Sequence, residues 1–185
     1  MLSPDSVELA ELAAGWRSAY VHVPFCRRRC PYCDFAVVAP GDAVAGDLPG
    51  LTEQYLAALH SEIDMEPEWE PLAAVNFGGG TPSAIGPDAL GELVAHLDSR
   101  FSIEAGGEVS IEANPEDITG DFVTRLVAAG INRVSLGVQS LDDDVLTALG
   151  RSHTAAQAIA AIEECLPHVS VAVDLIFGTP GETLE

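Results

Sequence analysis

Three cysteines lie close together near the start of the chain, as Cys26, Cys30 and Cys33 in the spacing Cys-x3-Cys-x2-Cys. Clustered thiols in a protein without an export signal are more often metal ligands or catalysts than disulfide partners. A structural zinc site normally takes four protein ligands, and the fourth cysteine, Cys165, is distant in the sequence. Three thiolates suit a [4Fe-4S] cluster better, because one iron then keeps an open coordination position. Zinc and inert thiols are the alternatives.

A run of glycines, Gly78-Gly79-Gly80-Thr81-Pro82, forms the second candidate element. It lacks the lysine of a phosphate loop and the spacing of a dinucleotide-binding motif. Consecutive glycines allow a ligand to approach the backbone closely, and exposed N–H and C=O groups at a strand end can pair with the two ends of an amino acid. A simple tight turn is the alternative.

Polar side chains follow the other predicted strands. Glu112 ends the third strand, where its carboxylate can accept hydrogen bonds from an amino or ribose group. Gln139 and Arg151 follow the fourth strand, with a loop cap and a surface charge as their alternative roles. Asp174 lies within an apolar run, where an acid is costly unless it is paired or bound to a ligand.

Alternating short apolar runs and helical patterns predict parallel βαβ units, in which ligands bind at the C-terminal ends of the strands. The predicted domain organisation is a leader over residues 1–18 and one core over residues 19–185. The five predicted strands cover residues 19–23, 73–77, 108–111, 133–137 and 169–177. Predicted helices start at the Thr52 N-cap and near residue 87, and cover residues 121–129, 141–149 and 154–164.

The composition is that of a folded and strongly acidic protein. The 185 residues are 48% hydrophobic and 20% charged, which excludes disorder as the main description. Acidic residues number 29 against 8 basic ones, all arginine, and the net charge of -21 disfavours nucleic acid and anionic membranes as partners. The one concentration of positive charge is Arg27 to Arg29, which either offsets an anionic cluster, contacts an electron donor or belongs to a solvated loop.

The first sixteen residues contain no lysine or arginine and no long continuous run of apolar residues. They therefore lack the features of a signal peptide. No transmembrane run is visible in the sequence. A cytoplasmic location is expected.

The cysteine spacing, with the aromatic Tyr32 before the last cysteine, resembles the signature of radical S-adenosylmethionine (SAM) enzymes. This resemblance implies a cluster whose open iron binds the amino and carboxylate groups of SAM. An injected electron then cleaves the sulfonium to give a deoxyadenosyl radical. The glycine run resembles the motif that contacts the methionine part of SAM.

Further segments extend the resemblance over nearly the whole chain: IEANPE, SLGVQS, LGRSHT and VDLIFGTPGET. They resemble the branch that contains oxygen-independent coproporphyrinogen III oxidases and HemW-type heme chaperones. The implied fold is a partial radical SAM (β/α) barrel of α/β class, with about five parallel strands present and the C-terminal part missing. The positions that match SAM contacts in this branch are Tyr20, Tyr32, Gly79, Gly80, Thr81, Glu112, Gln139, Arg151 and Asp174.

One departure separates the two relatives. The oxidases carry a cysteine two positions after the last cluster ligand, whereas this chain has Phe35, as in the chaperones. The resemblance therefore implies a chaperone that binds heme or a porphyrin and transfers it to an acceptor protein, with a respiratory protein as a candidate and an electron donor as a second partner. The alternatives are oxidative decarboxylation of a porphyrinogen and a truncated, inactive product. None of the five histidines lies in a heme-attachment motif. The resemblance implies heme as a cofactor, but the heme-associated motif of the chaperones belongs to a C-terminal part that this chain does not include, so no heme ligand is assigned.

Overall fold

Five parallel strands form one sheet in the order β1-β2-β3-β4-β5 in the computed structural model, which describes residues 15, 17–42, 46–179 and 181–182. The predicted leader falls mostly outside these residues. All five predicted strands are present, but their bounds differ from the expected ones. The strands are β1 (Ser18–Val23), β2 (Leu72–Gly79), β3 (Ile103–Ala113), β4 (Arg133–Gln139) and β5 (Ser170–Leu175).

Helices connect the strands, as the sequence pattern predicts. They are α1 (Leu48–Met65), α2 (Pro87–Phe101), α3 (Gly120–Ala128), α4 (Asp143–Ala148) and α5 (Ala155–Cys165). Two short 3-10 helices, Pro82–Ile85 and Pro115–Asp117, follow β2 and β3 directly. The α/β fold with parallel strands is thereby confirmed.

The prediction that the first helix starts after Thr52 is wrong. Helix α1 begins at Leu48, because the side chain of Asp47 caps it by accepting a hydrogen bond from the Gly50 N–H. Pro49 is compatible with this start, since a proline in the first turn has no intrahelical partner to lose. The hydroxyl of Thr52 instead donates to the Leu48 carbonyl, 2.8 Å away, within the helix.

A single core fills the space between the sheet and the helices. Phe77, Ile111 and Leu136 on the three central strands are fully buried, as are Leu90 and Leu93 on α2. Because alternate residues of a strand point to opposite faces, the neighbours of these apolar residues along each strand point to the other face of the sheet. The core also contains the fourth cysteine, Cys165, whose burial raises the pKa of its thiol to about 11.

The strand β5 differs from the other four in burial. It was expected to be an apolar strand with a costly acid inside it, but Val173, Asp174 and Leu175 are all exposed. The cost expected for Asp174 therefore does not arise. In the described part of the chain, β5 pairs only with β4, so it forms one edge of the sheet.

All strands run in the same direction, so their C-terminal ends and the loops that follow them meet at one edge of the sheet. The predicted site residues therefore converge there. Over the residues described, no helix is long and apolar enough to cross a membrane.

Candidate functional site

A cavity of about 250 Å³ opens at the C-terminal edge of the sheet. It is lined by residues from the C-terminal ends of β2 to β5 and from the loops after β1 to β4, which is where the sequence pattern places a ligand. Every predicted site residue except Tyr20 contributes to its wall: Cys26, Cys30, Tyr32, Cys33, Gly79, Gly80, Thr81, Glu112, Gln139, Arg151 and Asp174.

The three clustered thiols lie on the segment after β1, residues 26–42, which we call the cysteine loop. Backbone hydrogen bonds close it at its two ends. The Cys26 N–H donates to the Val38 carbonyl at 3.0 Å, and the Val38 N–H donates to the Pro24 carbonyl at 2.8 Å. A further turn brings the Cys33 N–H within 3.1 Å of the Cys30 carbonyl. The loop therefore returns to its starting point and keeps the three cysteines on one side of the cavity.

The thiols influence one another and contact donors from other loops. Burial raises the pKa of Cys26; the Thr81 hydroxyl, 3.5 Å from its sulfur, acts against this, and the neighbouring Cys33 and Cys30 raise it further. The guanidinium of Arg151 donates to the Cys30 sulfur at 3.5 Å. The cysteines are free rather than disulfide-bonded. Among the described residues no three His, Cys, Asp or Glu side chains are placed to hold a single metal ion.

Two of the three clustered arginines are paired within the protein. Arg27 Nε lies 2.5 Å from Asp117 Oδ1, and Arg29 Nη2 lies 2.8 Å from Asp42 Oδ2. Arg29 also donates to the Val37 carbonyl at 2.6 Å. Arg27, Arg28 and Arg29 are all exposed, as the solvated-loop interpretation expects, and Arg27 and Arg29 in addition pair with acids that border the cysteine loop.

Residues 78–81, the glycine loop, are held by backbone contacts. The Gly80 N–H donates to the Val23 carbonyl and the Thr81 N–H to the Phe25 carbonyl, each at 2.8 Å. The expectation of exposed N–H groups is therefore wrong at these two residues, since β1 and its extension already occupy them. A side chain on Gly80 would lie 2.8 Å from backbone atoms of Val23, Pro24 and Phe25, which explains the need for glycine.

Glu112 connects the glycine loop to β1. Its Oε2 accepts a hydrogen bond from the Gly79 N–H at 3.2 Å. A side chain on Gly78 would lie 2.7 Å from both the Glu112 carboxylate and the Tyr20 hydroxyl, so these two groups meet beside this glycine. Burial raises the pKa of Glu112 and the nearby Asp174 raises it further, against the lowering effect of the Gly79 hydrogen bond. Tyr20 thus lies beside the site residue Glu112, although it is outside the cavity wall.

Arg151 is fixed by partners that the sequence did not identify. Its Nη2 donates to Asn114 Oδ1 at 2.5 Å and to the Gly137 carbonyl at 2.9 Å. Its Nε is buried and has no hydrogen-bond partner among the described residues. An unsatisfied buried donor is costly, so this side chain is suited to an anionic ligand rather than to a surface role. Asn114 could have been inferred, because it directly follows β3 as Arg151 follows α4.

Residues 149–154, the arginine loop, are anchored by contacts of the Glu116 carboxylate with Ser152 and with the buried His153. Glu116 Oε1 accepts from the Ser152 hydroxyl at 2.6 Å, and its Oε2 lies 3.3 Å from Nδ1 of the buried His153. His153 Nε2 lies 3.0 Å from the Val138 carbonyl. Burial of Glu116 would raise its pKa, but the contacts with His153 and Ser152 outweigh burial and hold the pKa at about 2.

The last two predicted residues lie at the ends of β4 and β5. Asp174 Oδ2 accepts a hydrogen bond from the Ser135 hydroxyl at 3.0 Å, so Ser135 orients it. Gln139 has a φ of 70°, a left-handed conformation that is rare for a residue other than glycine. Its side chain therefore occupies the cavity wall at the cost of backbone strain.

The donor set of the cavity fits the two groups that the resemblance implies. Cys26, Cys30 and Cys33 supply three thiolate ligands for a [4Fe-4S] cluster. Glu112 and Asp174 can accept hydrogen bonds from an amino group and from hydroxyls, while the unsatisfied Nε of Arg151 can donate to a carboxylate. An amino acid derivative with a polar substituent matches this arrangement.

Comparison with known proteins agrees with this geometry. The profile of the Radical SAM superfamily matches residues 20–185. The chain belongs to the radical SAM superfamily. Membership in the superfamily implies a [4Fe-4S] cluster and SAM as cofactors, and the three thiols are in the expected loop after the first strand.

The curated relatives of this radical SAM chain include a heme chaperone and a coproporphyrinogen oxidase. It is 41% identical to the heme chaperone HemW of Mycobacterium tuberculosis over 171 residues, covering 89% of this chain and 42% of the relative. It is 37% identical to an oxygen-independent coproporphyrinogen III oxidase of Bradyrhizobium diazoefficiens over 186 residues, covering 95% of this chain and 39% of the relative. The chain thus spans less than half the length of these relatives.

A solved structure supports the fold of this radical SAM chain independently. Coproporphyrinogen III oxidase from Escherichia coli, described as a radical SAM enzyme, superimposes with a TM-score of 0.84 at 28% identity. The match covers 98% of this chain and 42% of the oxidase chain. The predicted partial barrel is thereby confirmed.

Proposed function

We propose that this chain is the cluster- and SAM-binding part of a heme chaperone, which binds heme and transfers it to an acceptor protein. The observation that carries the proposal is the convergence of three free thiols with Glu112 and Arg151 on one cavity. The similarity to the heme chaperone of Mycobacterium tuberculosis supports the heme assignment. A cytoplasmic location and an electron donor as partner belong to the same proposal.

Each group in the cavity takes one role in cofactor binding. The three cysteine sulfurs would hold the cluster, which would supply a binding site for SAM and the electron for its reductive cleavage. Arg151, already oriented by Asn114 and Gly137, donates to the carboxylate of SAM. Glu112 and Asp174 accept hydrogen bonds from its amino group and ribose, and Gln139 adds an amide. Tyr32 and the glycine loop complete the wall.

Phe35 favours the chaperone over the oxidase. It lies at the cavity wall and is 65% exposed. By resemblance, the oxidases have a further cysteine at this position, two residues after the last cluster ligand. A thiol is therefore replaced by an aromatic ring, which can stack on a flat porphyrin but has no redox or acid-base chemistry. Coproporphyrinogen oxidation remains the second candidate, because an oxidase superimposes on nearly the whole chain.

Electron paramagnetic resonance tests the cofactor part of the proposal. The chain is reconstituted anaerobically with iron and sulfide, reduced, and measured with and without SAM. We expect a reduced-cluster signal that changes when SAM is added, because SAM binds the open iron. Cys26→Ala should abolish this signal, and the matched variant Cys165→Ala should retain it, since Cys165 is in the core. A signal that SAM leaves unchanged contradicts a competent SAM site and supports the inactive-product alternative.

Heme titration separates the chaperone from the oxidase. The reconstituted chain is titrated with hemin, and in parallel it is incubated with SAM, reductant and coproporphyrinogen III. We expect stoichiometric hemin binding without turnover, and weaker binding in Phe35→Ala. Substrate-dependent release of deoxyadenosine with decarboxylated product would instead establish the oxidase.

A further inference from the structure

Asp117 is a buried acid outside the cavity wall, and the SAM site makes no direct use of it. It ends the 3-10 helix after β3, and its side chain is only 1% exposed. Its two carboxylate oxygens are each occupied: Oδ1 by Arg27 Nε at 2.5 Å and Oδ2 by the Ser83 hydroxyl at 2.6 Å. A buried carboxylate is costly unless hydrogen-bond donors contact it, and Arg27 is one of the two side chains that supply such a donor here.

The two partners of the Asp117 carboxylate come from two different segments. Arg27 directly follows the cluster ligand Cys26, and Ser83 lies in the 3-10 helix after the glycine loop. The Arg27 side chain is 61% exposed, so its aliphatic part receives little support from packing. The buried end of this contact is therefore the Asp117 carboxylate, and the exposed end is the Arg27 side chain of the cysteine loop.

The contact continues into the cavity through hydrogen bonds. The Asp117 N–H donates to the Asn114 carbonyl at 3.0 Å, and the Asn114 N–H lies 3.4 Å from the Ser83 hydroxyl oxygen. The Asn114 side chain donates to the Thr81 hydroxyl at 3.4 Å, and this hydroxyl donates to the Cys26 sulfur at 3.5 Å. Asp117 is thus linked to the residues on both sides of the Cys26–Arg27 peptide.

We infer that Asp117 is a positioning residue that holds the cysteine loop in its cluster-binding shape before iron arrives. Three thiols on a free loop would sample many arrangements, and ordering them would reduce the affinity for a cluster. The buried carboxylate removes part of this cost by fixing the residue next to Cys26. The inference concerns loop order in the apo protein and does not depend on whether the ligand is heme.

Limited proteolysis measures loop order without any cofactor. Trypsin cleaves after arginine, and the chain contains no lysine, so Arg27, Arg28 and Arg29 make the loop a defined cleavage region. The variant Asp117→Asn keeps all these sites and the shape of the side chain but removes its charge. We expect the apo variant to be cleaved in the loop roughly three- to tenfold faster than wild type, the factor expected for the net contribution of one hydrogen bond. Cleavage after Arg125 and Arg133 should not change.

The matched control is Asp88→Asn, which removes the contact of Asp88 with Arg125 on the helical side of the fold. It should leave loop cleavage at the wild-type rate. After reconstitution, Asp117→Asn should also lose its cluster absorbance to a chelator roughly three- to tenfold faster than the control variant does. Its reduced-cluster resonance should show a broader or second signal, which a purely global loss of stability would not produce.

Equal loop cleavage in wild type and Asp117→Asn overturns the inference. If Asp117→Asn unfolds, so that every arginine is cleaved faster, Arg27→Gln decides, because its exposed side chain can be changed without entering the core. Faster cleavage after Arg28 in folded Arg27→Gln supports the inference, and an unchanged rate overturns it. If wild type fails to assemble a cluster while the cleavage difference persists, the cofactor proposal fails and the loop inference stands.

Discussion

The glycine loop and the cysteine loop lie side by side on the cavity, yet they are held by different forces. In the glycine loop, backbone N–H groups of Gly80 and Thr81 donate to β1 and its extension, and the absence of a side chain at Gly80 permits this approach. In the cysteine loop, charged side chains connect Arg27 to Asp117 and Arg29 to Asp42. Charged side chains therefore add to the backbone hydrogen bonds that close the cysteine loop, whereas the glycine loop is limited by steric fit.

This difference predicts which changes disrupt the structure of each loop. A loop fixed by close backbone packing tolerates changes of pH and salt but no added volume. A loop fixed by ion pairs tolerates small changes of shape but responds to neutralisation of a partner. The arginine loop belongs to the second type, because Glu116 and His153 anchor it.

The largest effect is expected for Gly80→Ala. Its methyl group would meet the backbone of Val23, Pro24 and Phe25 at 2.8 Å, and these atoms cannot move without displacing β1. We expect a loss of about 3 kcal/mol in the free energy of unfolding, measured by urea denaturation, because overpacking against backbone strains the sheet. Gly46→Ala is the control, since nothing lies within 4 Å of its added carbon. Equal stability of the two variants would contradict the steric account.

A smaller, pH-dependent effect is expected for Glu116→Gln. The pKa of Glu116 is about 2 in the folded chain, below its ordinary value of 4.5, so the carboxylate stabilises the fold fully above about pH 5. This contribution is lost as the pH falls from about 5 to about 2, and it is on the order of 2 kcal/mol after allowance for partial exposure.

The measurement is urea denaturation of wild type and Glu116→Gln at a series of pH values. Wild type should lose more stability than the variant between pH 5 and pH 2, so the two curves converge in acid. Parallel curves over this interval would show that the ion pair with His153 does not anchor the arginine loop.

The smallest effect is expected for Asp42→Asn. Arg29 and Asp42 are both accessible to solvent, and Arg29 keeps its hydrogen bond to the Val37 carbonyl when the carboxylate is neutralised. Loop cleavage by trypsin should rise less than roughly twofold, and added salt should remove even this difference because it screens exposed charges. An effect as large as that of Asp117→Asn would show that burial does not distinguish the two contacts of the cysteine loop.

The sequence predicted the order of strands and helices and most of the cavity wall, because local patterns encode both. Cys26 and Gly80 follow apolar runs, and the topology of a parallel sheet then brings them together. Element boundaries were less predictable. The sequence pattern favoured Thr52 as an N-cap, whereas the structure has Asp47 in that role. The glycines at positions 106 and 107 are atypical of a strand, so the sequence did not predict that β3 begins at Ile103.

Contacts between distant residues could not be predicted from the chain. Arg27 and Asp117 are separated by 90 positions, and neither has an unusual neighbour that signals the pairing. The same holds for Asn114 with Arg151 and for Ser135 with Asp174, which are 37 and 39 positions apart. Such pairs depend on how loops pack at the end of the sheet, and one sequence carries no record of that packing.

The left-handed backbone of Gln139, at the end of β4, has a consequence for directed evolution of this protein. With a φ of 70°, glycine at this position would relieve backbone strain, and the free energy of unfolding would rise by less than about 1 kcal/mol because glycine loses more conformational entropy on folding. A library selected for heat tolerance alone would therefore accumulate Gln139→Gly and discard an amide that lines the cavity. If glutamine is retained under selection for ligand affinity but lost under selection for heat tolerance, ligand affinity and thermal stability oppose each other at this position.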